Sequence, residues 1–413
     1  MENARLSPGR HSALLQPQKH IGVKGLILFI SFLGMFIPMS IDLYLPAVPK
    51  MTGYFHTTSA MVNLTLNAFF IFFAVGIILF GPLSDKFGRK PILVFGLILY
   101  ILGSMASALS ASIYQLILFR IVQALGAGAV AAISTAMIKD CFSGKIKSKV
   151  LAAVQAMGVI APMVSPIAGA AILQVAEWRT TFWVLAVVGV LALAVTLLYQ
   201  ETLPKEQRYR GSLGGSLIRL LVVGKNIGFS TFLLIASTLA APYMAYIAMS
   251  PYIYENHFAM NAQAYSYFYA ANSALAVLAP VIYIRSIGRL TPRAFSWGCF
   301  GLSLASGLCI LLLGDHSPWI FLLAYLPFTL IEGAMRPFST DILLDQQKED
   351  IGSASSLINA VQTILGSVGM ALGSLRWSNM IHGLGIIIIS ATLIAVLVWV
   401  ILLRSKVTVK GLK

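Results

Sequence analysis

A short charged stretch between two long apolar runs decides how the chain is interpreted. Residues 81–91 read Gly81-Pro82-Leu83-Ser84-Asp85-Lys86-Phe87-Gly88-Arg89-Lys90-Pro91. Gly81 and Gly88 permit close approach and unusual backbone angles, and Pro91 suits the first turn of a following helix. We expect a tight turn at a membrane surface, in which Asp85 is one acid among three basic residues. The simpler alternative is an ordinary positively charged loop.

The composition excludes an ordinary soluble domain. Of the 413 residues, 58% are hydrophobic and only 10% are charged, whereas soluble domains carry about 25% charged residues. The apolar residues also come in blocks of about 20, the length that spans the hydrocarbon core of a bilayer. The sequence therefore predicts an all-α integral membrane protein with twelve transmembrane helices, surrounded by the lipid bilayer.

The predicted spans form two sets of six. Their approximate ranges are 24–48, 58–80, 91–110, 113–137, 148–173, 179–199, 227–252, 265–284, 294–313, 317–340, 351–374 and 383–404. Two six-helix bundles then cover 24–199 and 227–404, with a cytoplasmic linker at 200–226 and cytoplasmic tails at 1–23 and 405–413. Two such repeats around a site near the midplane are typical of secondary transporters. The recurrence of Gly88-Arg89 as Gly288-Arg289 is a weak sign of duplication.

The distribution of positive charge predicts the orientation of the chain. A net charge of +15 is compatible with nucleic-acid binding, but 24 of the 29 Lys and Arg residues fall in the termini and in loops after even-numbered spans. Such asymmetry places both termini in the cytoplasm, and we expect no nucleic-acid partner. The cysteines Cys141, Cys299 and Cys309 lack metal-like or redox-like spacing, so we expect no metal and no cofactor. The long first apolar run argues against a cleavable signal peptide.

Two charged residues inside the first predicted bundle are candidates for proton coupling. Asp42 precedes the prolines near the end of the first span, and Arg120 lies in the fourth span. A carboxyl group in hydrocarbon costs several kcal/mol unless it is neutral, paired or faces a watery cavity. Counted from the outer ends of their spans, Asp42 and Arg120 lie at depths of roughly 9 and 10 Å. We expect a communicating pair; the alternatives are two unrelated residues solvated by a cavity, or an Asp42 among lipid headgroups.

A second acid and base lie in the tenth span. Glu332 precedes Arg336 by four positions, the favourable order for an ion pair within one helix, so they either neutralise each other or contact substrate. We include both as candidate substrate-binding residues. Other side chains that could line a mostly apolar pocket are Tyr44, Asn63, Asn67, Gln155, Tyr243 and Tyr246, together with Asn272, Asn359 and Gln362. The alternative for each of them is a hydrogen bond between helices.

The fifth span contains residues that bend helices. Gly158, Pro162 and Pro166 are four apart and share one helical stripe, and Gly169 follows them. Prolines bend membrane helices, and small residues let neighbouring helices approach. The alternative is the ordinary enrichment of Gly and Pro in membrane helices.

Several of these stretches together resemble the Bcr/CflA-like group of drug:proton antiporters in the major facilitator superfamily. Residues 42–47, Asp-Leu-Tyr-Leu-Pro-Ala, are similar to a run characteristic of that group, and residues 81–89 to the signature loop of the superfamily. Residues 120–127 are similar to its fourth-helix motif. Residues 161–169 resemble its fifth-helix antiporter motif, with Ser165 where many exporters have Gly. The resemblance covers nearly the whole chain.

The resemblance implies the major facilitator fold and roles for individual residues. The arginine of the fourth-helix motif, here Arg120, is implied in proton coupling. The signature loop is implied in gating, since it closes the cytoplasmic side of the outward-facing state. The gating residues carried over in this way are Gly81, Asp85, Gly88, Arg89 and Asp140. Arg89 would pair with Asp140, and Asp85 would face the positive N-terminal end of the eleventh span near Gly352.

The combined interpretation is a proton-coupled exporter of small, largely apolar drugs or antibiotics, chloramphenicol-like or bicyclomycin-like, in a bacterial inner membrane. Asp42 would carry the proton with Arg120 as its partner, and we expect the protein to act as a monomer. One alternative is an exporter of an endogenous metabolite, such as an amino acid or sugar derivative. A membrane-embedded enzyme is disfavoured because the sequence lacks His-Glu-x-x-His and Gly-x-Ser-x-Gly patterns. A receptor would leave Asp42, Arg120 and Glu332 without a purpose.

Overall fold

The described part of the chain contains twelve helical segments that are long and apolar enough to cross a membrane. The computed structural model describes residues 18, 21–209, 222–346 and 351–412. The segments, here called span 1 to span 12, are Gly22–Tyr54, Ser59–Phe87, Arg89–Ala108, Ile113–Cys141, Ala156–Val175, Arg179–Leu198, Ile227–His257, Ala262–Ser286, Pro292–His316, Pro318–Asp345, Ala354–Gly373 and Met380–Arg404. The described part of the chain contains no β-strand. The predicted all-α membrane architecture with twelve spans is confirmed.

The spans fall into a first bundle, spans 1–6, and a second bundle, spans 7–12. Residues 199–226 connect them, of which 210–221 lie outside the described residues, as does most of the predicted tail 1–23. Because an even number of spans returns the chain to its starting side, the start of span 1 at Gly22 and the end of span 12 at Arg404 share one side of the membrane, here called the terminal side. The opposite side is called the far side.

Span 1 is interrupted next to Asp42. It consists of the helices Gly22–Leu33 and Phe36–Asp42, the 3-10 turn Leu45–Ala47 and the helix Val48–Tyr54. The prediction ended this span at residue 48 because of its prolines, but Pro49 lies in the first turn of the last helix. Backbone N–H groups in the first turn have no partner within the helix, so the missing N–H of proline costs nothing there, and its fixed backbone angle suits the helix. The prolines therefore restart the helix, and span 1 continues to Tyr54.

The remaining helices are longer or more broken than the apolar runs suggest. Span 5 belongs to a helix Gly144–Val175, and span 11 to a helix Ile351–Gly373. Span 7 comprises Ile227–Thr238, Ala240–Tyr252 and a π-helical turn Ile253–His257, while span 8 comprises Ala262–Ala276 and Leu278–Ser286. Span 9 is the helix Pro292–Leu313 with the 3-10 turn Gly314–His316. Broken first spans in both bundles are typical of transporter folds.

The stretch 81–91 is helical except at one residue. Pro82 lies within span 2 without ending it, so spans 2 and 3 are separated by Gly88 alone. Gly88 has a φ of +106°, and a Cβ there would collide with the carboxylate of Glu201 and the guanidinium of Arg208. Only glycine combines that backbone angle with so little space. The expected loop is therefore corrected to a one-residue turn.

Glycines let span 4 pack closely at the centre of the first bundle. A Cβ at Gly126 would lie 2.5 Å from backbone atoms of Gly96 and Tyr100 on span 3, and one at Gly128 would lie 2.5 Å from the carbonyl oxygen of Phe73 on span 2. Small residues allow this close approach of membrane helices. The contacts hold span 4, and Arg120 with it, between its neighbours.

Replacing Gly126 by valine is expected to destabilise the first bundle by at least about 3 kcal/mol, because the added atoms would force two backbones apart. Gly301→Val is the matched control, since a Cβ at Gly301 meets nothing within 4 Å. Equilibrium unfolding in mixed detergent micelles measures both variants. Equal stability of the two variants would contradict the close packing at Gly126.

Candidate functional site

Asp42 lies buried where the two bundles meet. Its residue is only 4% exposed, and its Oδ1 accepts a hydrogen bond of 3.0 Å from the hydroxyl of Tyr269 on span 8. Asp42 ends the helix Phe36–Asp42, so its side chain stands at the break in span 1. On the other side, span 5 approaches closely, because a Cβ at Gly169 would collide with the carbonyl oxygen of Leu43. The carboxyl group is thus held between spans of both bundles.

Arg120 is fully buried inside the first bundle. Its Nη1 donates to the carbonyl oxygen of Ser40 at 2.9 Å and to Oε1 of Gln123 at 2.7 Å, and its guanidinium lies 4.2 Å from the ring centroid of Phe69. The described residues include no ion pair within 4.0 Å between Arg120 and Asp42. The expected pair is therefore connected only indirectly, through Ser40 in the same short helix as Asp42.

Tyr44 packs around Arg120 instead of lining a cavity. Its ring centroid lies 5.4 Å from the guanidinium carbon, and its hydroxyl lies 3.1 Å from Oγ1 of Thr65 on span 2. The residue is fully buried. The structure thus gives Tyr44 a packing role in this conformation.

Polar side chains join the two bundles on the far side. Asn63 of span 2 donates to the carbonyl oxygen of Ala248 on span 7 at 3.4 Å, and Gln174 of span 5 donates to Gln263 of span 8 at 3.2 Å. All four residues lie in the far-side halves of their spans. Asn67, one turn further along span 2, has a buried Oδ1 without a partner among the described residues. The two bundles are therefore in contact on the far side.

A cavity opens in the terminal half of the second bundle. Its lining comes from spans 7, 10 and 11 and consists of Ala236, Leu239, Ala240, Glu332, Met335, Arg336, Ser339 and Gln362. Nε of Arg336 donates to Oε1 of Glu332 at 2.6 Å, so the two residues pair with each other. The Arg336 side chain nevertheless remains 50% exposed, and the ring of Tyr243 lies 5.7 Å from its guanidinium. The pair presents one donor and one acceptor to the cavity.

The other predicted pocket residues are distributed differently. Tyr246 stacks on Tyr325, with ring centroids 3.9 Å apart, and is buried within the second bundle. Asn272 accepts a hydrogen bond from Thr329 at 2.8 Å, which is the helix-packing alternative. The side chain of Gln155 lies outside the described residues. The geometry thus places Glu332 and Arg336 in the cavity. Tyr243 lies beside Arg336, whereas Tyr44 and Tyr246 pack elsewhere.

A charged network stands at the terminal ends of spans 2, 3 and 4. Arg89 donates through Nε to Asp140 at 2.7 Å and through Nη1 to Asp85 and to Ser84. The pair with Asp140 that the resemblance implies therefore forms. Asp85 is half exposed and is bonded by Arg89; its expected neighbour Gly352 lies outside the residues whose side chains the structure describes.

The residues predicted to bend span 5 lie within one continuous helix. The helix Gly144–Val175 runs through Pro162 and Pro166. A Cβ at Gly158 would meet nothing within 4 Å, in contrast to the collision at Gly169. Of these residues, Gly169 thus has a defined contact, and it is the contact beside Asp42.

A family model described as Major Facilitator Superfamily matches residues 26–370. The chain belongs to the Major Facilitator Superfamily. It is similar to a bicyclomycin resistance protein homolog of Haemophilus influenzae, 26% identical over 84% of this chain and 88% of the relative. It is also similar to the multidrug resistance protein MdtM of Salmonella typhimurium, 27% identical over 83% of this chain and 86% of the relative. The predicted resemblance to the Bcr/CflA-like group is confirmed.

A solved structure agrees on the fold. A D-xylose-proton symporter superposes with a TM-score of 0.75 at 14% identity, over 94% of this chain and 98% of the other. This likeness concerns the fold alone. The family match and the bacterial relatives, in contrast, show that this facilitator is a transporter and not an enzyme. In the described part of the chain, no group of three or more His, Cys, Asp and Glu could hold a metal ion.

Sequence reasoning missed Glu201 and Lys90 of this facilitator. The Glu201 carboxylate accepts the backbone N–H groups of Arg89 and Lys90 at 3.0 and 3.1 Å, and so caps span 3. Nζ of Lys90 in turn donates to the carbonyl oxygens of Leu197 and Tyr199 at the end of span 6. An acid directly after span 6 was the available signal, since helix N-termini attract carboxylates. These hydrogen bonds connect the segment after span 6 with the turn at Gly88.

Proposed function

We propose that this facilitator exports small, largely apolar compounds in exchange for protons. The observation that carries the proposal is the buried Asp42 carboxyl, hydrogen-bonded by Tyr269 across the two bundles. A carboxyl group at a contact that must open during alternating access changes its surroundings in every cycle. Its affinity for a proton then differs between the two states, which is the requirement for coupling.

Arg120 supports this role from inside the first bundle. Its guanidinium is fixed by Ser40 and Gln123 and by the Phe69 ring, so its positive charge stays close to the helix that ends at Asp42. A fixed charge in a low-dielectric interior acts over several ångströms. Arg120 thus places a buried positive charge beside the short helix that ends at Asp42, without forming an ion pair with its carboxylate.

The cavity between spans 7, 10 and 11 is the proposed substrate site. Half of its lining residues are apolar and half are polar, and the Glu332–Arg336 pair supplies a donor and an acceptor at one place. Apolar side chains beside a small number of placed polar groups are typical of small-molecule sites. Bicyclomycin-like or chloramphenicol-like compounds fit this chemistry, and the relatives named for resistance support the same class. We place the protein in a bacterial inner membrane as a monomer, with the terminal side in the cytoplasm.

Transport into everted vesicles tests the proposal. Vesicles that carry the protein would be given chloramphenicol, then a cationic dye, with an imposed proton gradient that a protonophore collapses. We expect gradient-dependent accumulation of chloramphenicol above that of vesicles without the protein. Accumulation that does not depend on the gradient would contradict proton coupling. No movement of either compound would favour the second candidate, an exporter of an endogenous metabolite.

Replacing Glu332 by glutamine is expected to change the charge preference of the cavity. The exposed Arg336 guanidinium would lose its counter-charge, so cationic dye transport should fall by about tenfold relative to chloramphenicol, since a unit charge at this range acts with roughly 1–4 kcal/mol. Asp341→Asn is the control, because Asp341 is an exposed acid of span 10 that Tyr283 bonds outside the cavity. An unchanged ratio of the two compounds would show that substrate does not sense this pair.

A further inference from the structure

A contiguous set of buried tyrosines connects Asp42 with the far side of the second bundle. Neighbouring ring centroids lie 3.9, 6.2, 6.0 and 5.8 Å apart along this set. The set, here called the tyrosine cluster, consists of Tyr325, Tyr246, Tyr269, Tyr265 and Tyr254. All five residues are at most 4% exposed. One member, Tyr269, donates its hydroxyl to Asp42.

Tyr254, the far-side end of the cluster, is followed in the chain by a second carboxyl group. Glu255 follows Tyr254 directly in the π-helical turn Ile253–His257, which closes span 7 at the far side. Oε1 of Glu255 is buried and has no hydrogen-bond partner among the described residues. π-Helical turns within α-helices are rare and occur frequently at functional sites. Glu255 is thus a far-side acid that the role of Asp42 leaves unexplained.

The surroundings of Glu255 contain few charged groups. Lys50 lies in the helix Val48–Tyr54 of span 1, which packs against the helix Ala240–Tyr252 that precedes the turn. His257, in the same turn, faces Asp315 instead, at 3.4 Å. Lys50 is exposed and Glu255 is partly exposed, while the adjacent Tyr254 is fully buried, so Glu255 lies between far-side solvent and the buried cluster.

Several hydroxyl groups in the cluster also lack partners. Within the described residues, the hydroxyls of Tyr246, Tyr254 and Tyr325 have none, whereas that of Tyr265 lies 3.2 Å from Oγ of Ser250. A buried polar group without a partner costs about 1–3 kcal/mol. Polar interiors relieve that cost by holding water, which commonly makes about three hydrogen bonds. Such a site suits a chain of hydroxyls and water molecules.

We propose that Glu255 is the far-side proton entrance to Asp42, with Tyr254, Tyr265 and Tyr269 of the tyrosine cluster and bridging water as the relay. The inference rests on the proposed proton coupling. A far-side proton binds the Glu255 carboxylate and then moves inward. Each hydroxyl or water accepts one proton from behind and releases its own ahead, and Tyr269 delivers the last one to Oδ1 of Asp42. Glu255 is left ionised and Asp42 protonated, so one proton has moved and no tyrosine carries a charge.

Two rates separate this role from a structural one. The first is gradient-driven chloramphenicol uptake into everted vesicles, which needs protons from the far side. The second is counterflow, the exchange of labelled for unlabelled chloramphenicol with the gradient collapsed, which needs alternating access but no net proton movement. The variants are Glu255→Gln, Glu255→Asp and the control Glu177→Gln, an exposed far-side acid with a side chain 77% accessible.

We expect Glu255→Gln to lower gradient-driven uptake by about tenfold or more, as the loss of a positioned proton-transfer group does, while counterflow stays within about twofold of wild type. Glu255→Asp should recover part of the driven rate, and Glu177→Gln should match wild type. Driven uptake at the wild-type rate in Glu255→Gln would overturn the entrance, and so would equal loss of both rates. A wild-type protein without gradient-driven uptake would instead overturn the proposed function itself.

Discussion

Gradient-driven movement of drug is expected to fall to the level of empty vesicles when Asp42 is replaced by asparagine. Asparagine has nearly the same shape, and its Oδ1 can still accept the hydrogen bond from Tyr269. It cannot bind and release a proton in each cycle. The fold and the exchange of drug for drug should therefore survive, while uphill transport stops.

The stability of Asp42→Asn is expected to change by only about 1 kcal/mol, the difference between hydrogen bonds to charged and to neutral acceptors. Driven uptake and counterflow in everted vesicles measure the two activities, and unfolding in mixed detergent micelles measures the stability. Asp341→Asn, which removes an exposed acid of span 10, controls for loss of a negative charge. Full gradient-driven export by Asp42→Asn would assign the proton to another group.

The spans and the charged residues inside them could be predicted because both are local features. A block of about 20 apolar residues has to cross the bilayer whatever its neighbours are, and single charges within such blocks stand out. Asp42, Arg120 and the Glu332–Arg336 pair were found in this way. The ion pair of Glu332 with Arg336 depends only on helical spacing, and it forms.

The partner of Asp42 could not be predicted, because it depends on how two bundles meet. Tyr269 lies in the other half of the chain and is one of 15 tyrosines, and nothing in its local sequence distinguishes it. Counting residues from the span ends gave Asp42 and Arg120 similar depths, but span 1 is broken and continues to Tyr54. The depth of Asp42 was therefore counted from residue 48, which is not the end of span 1. Arg120 donates to the carbonyl oxygen of Ser40 and not to the Asp42 carboxylate.

The turn at Gly88 also could not be predicted from its local sequence. Pro82 and two glycines in residues 81–91 favour a loop, yet the bilayer setting lets span 2 continue through its proline. The break falls on Gly88, whose φ of +106° favours glycine, and Glu201 and Arg208 from beyond span 6 occupy the space beside it. This contact with a distant segment cannot be recognised from residues 81–91 alone.

Replacing Arg89 by leucine is expected to destabilise the first bundle by about 3 kcal/mol, the range for breaking a largely buried ion pair by removing one partner. Asp140, with a side chain only 14% exposed, would lose its cation, while Asp85 is half exposed and loses less. The same change removes the Nη1 contact to Ser84, so spans 2, 3 and 4 lose their common link. Gradient-driven transport should fall with stability.

Lys86→Leu is the matched control, because Lys86 carries the same charge in the same stretch but is exposed and should change stability by less than about 1 kcal/mol. Unfolding in mixed detergent micelles would be measured for Arg89→Leu, for Asp140→Leu and for the double variant. If the pair provides the stability, the double variant should be less damaged than the sum of the single ones, since neither charge is then left unpaired. Strict additivity would show that Arg89 and Asp140 act independently, and the turn at Gly88 would then depend on the capping by Glu201 alone.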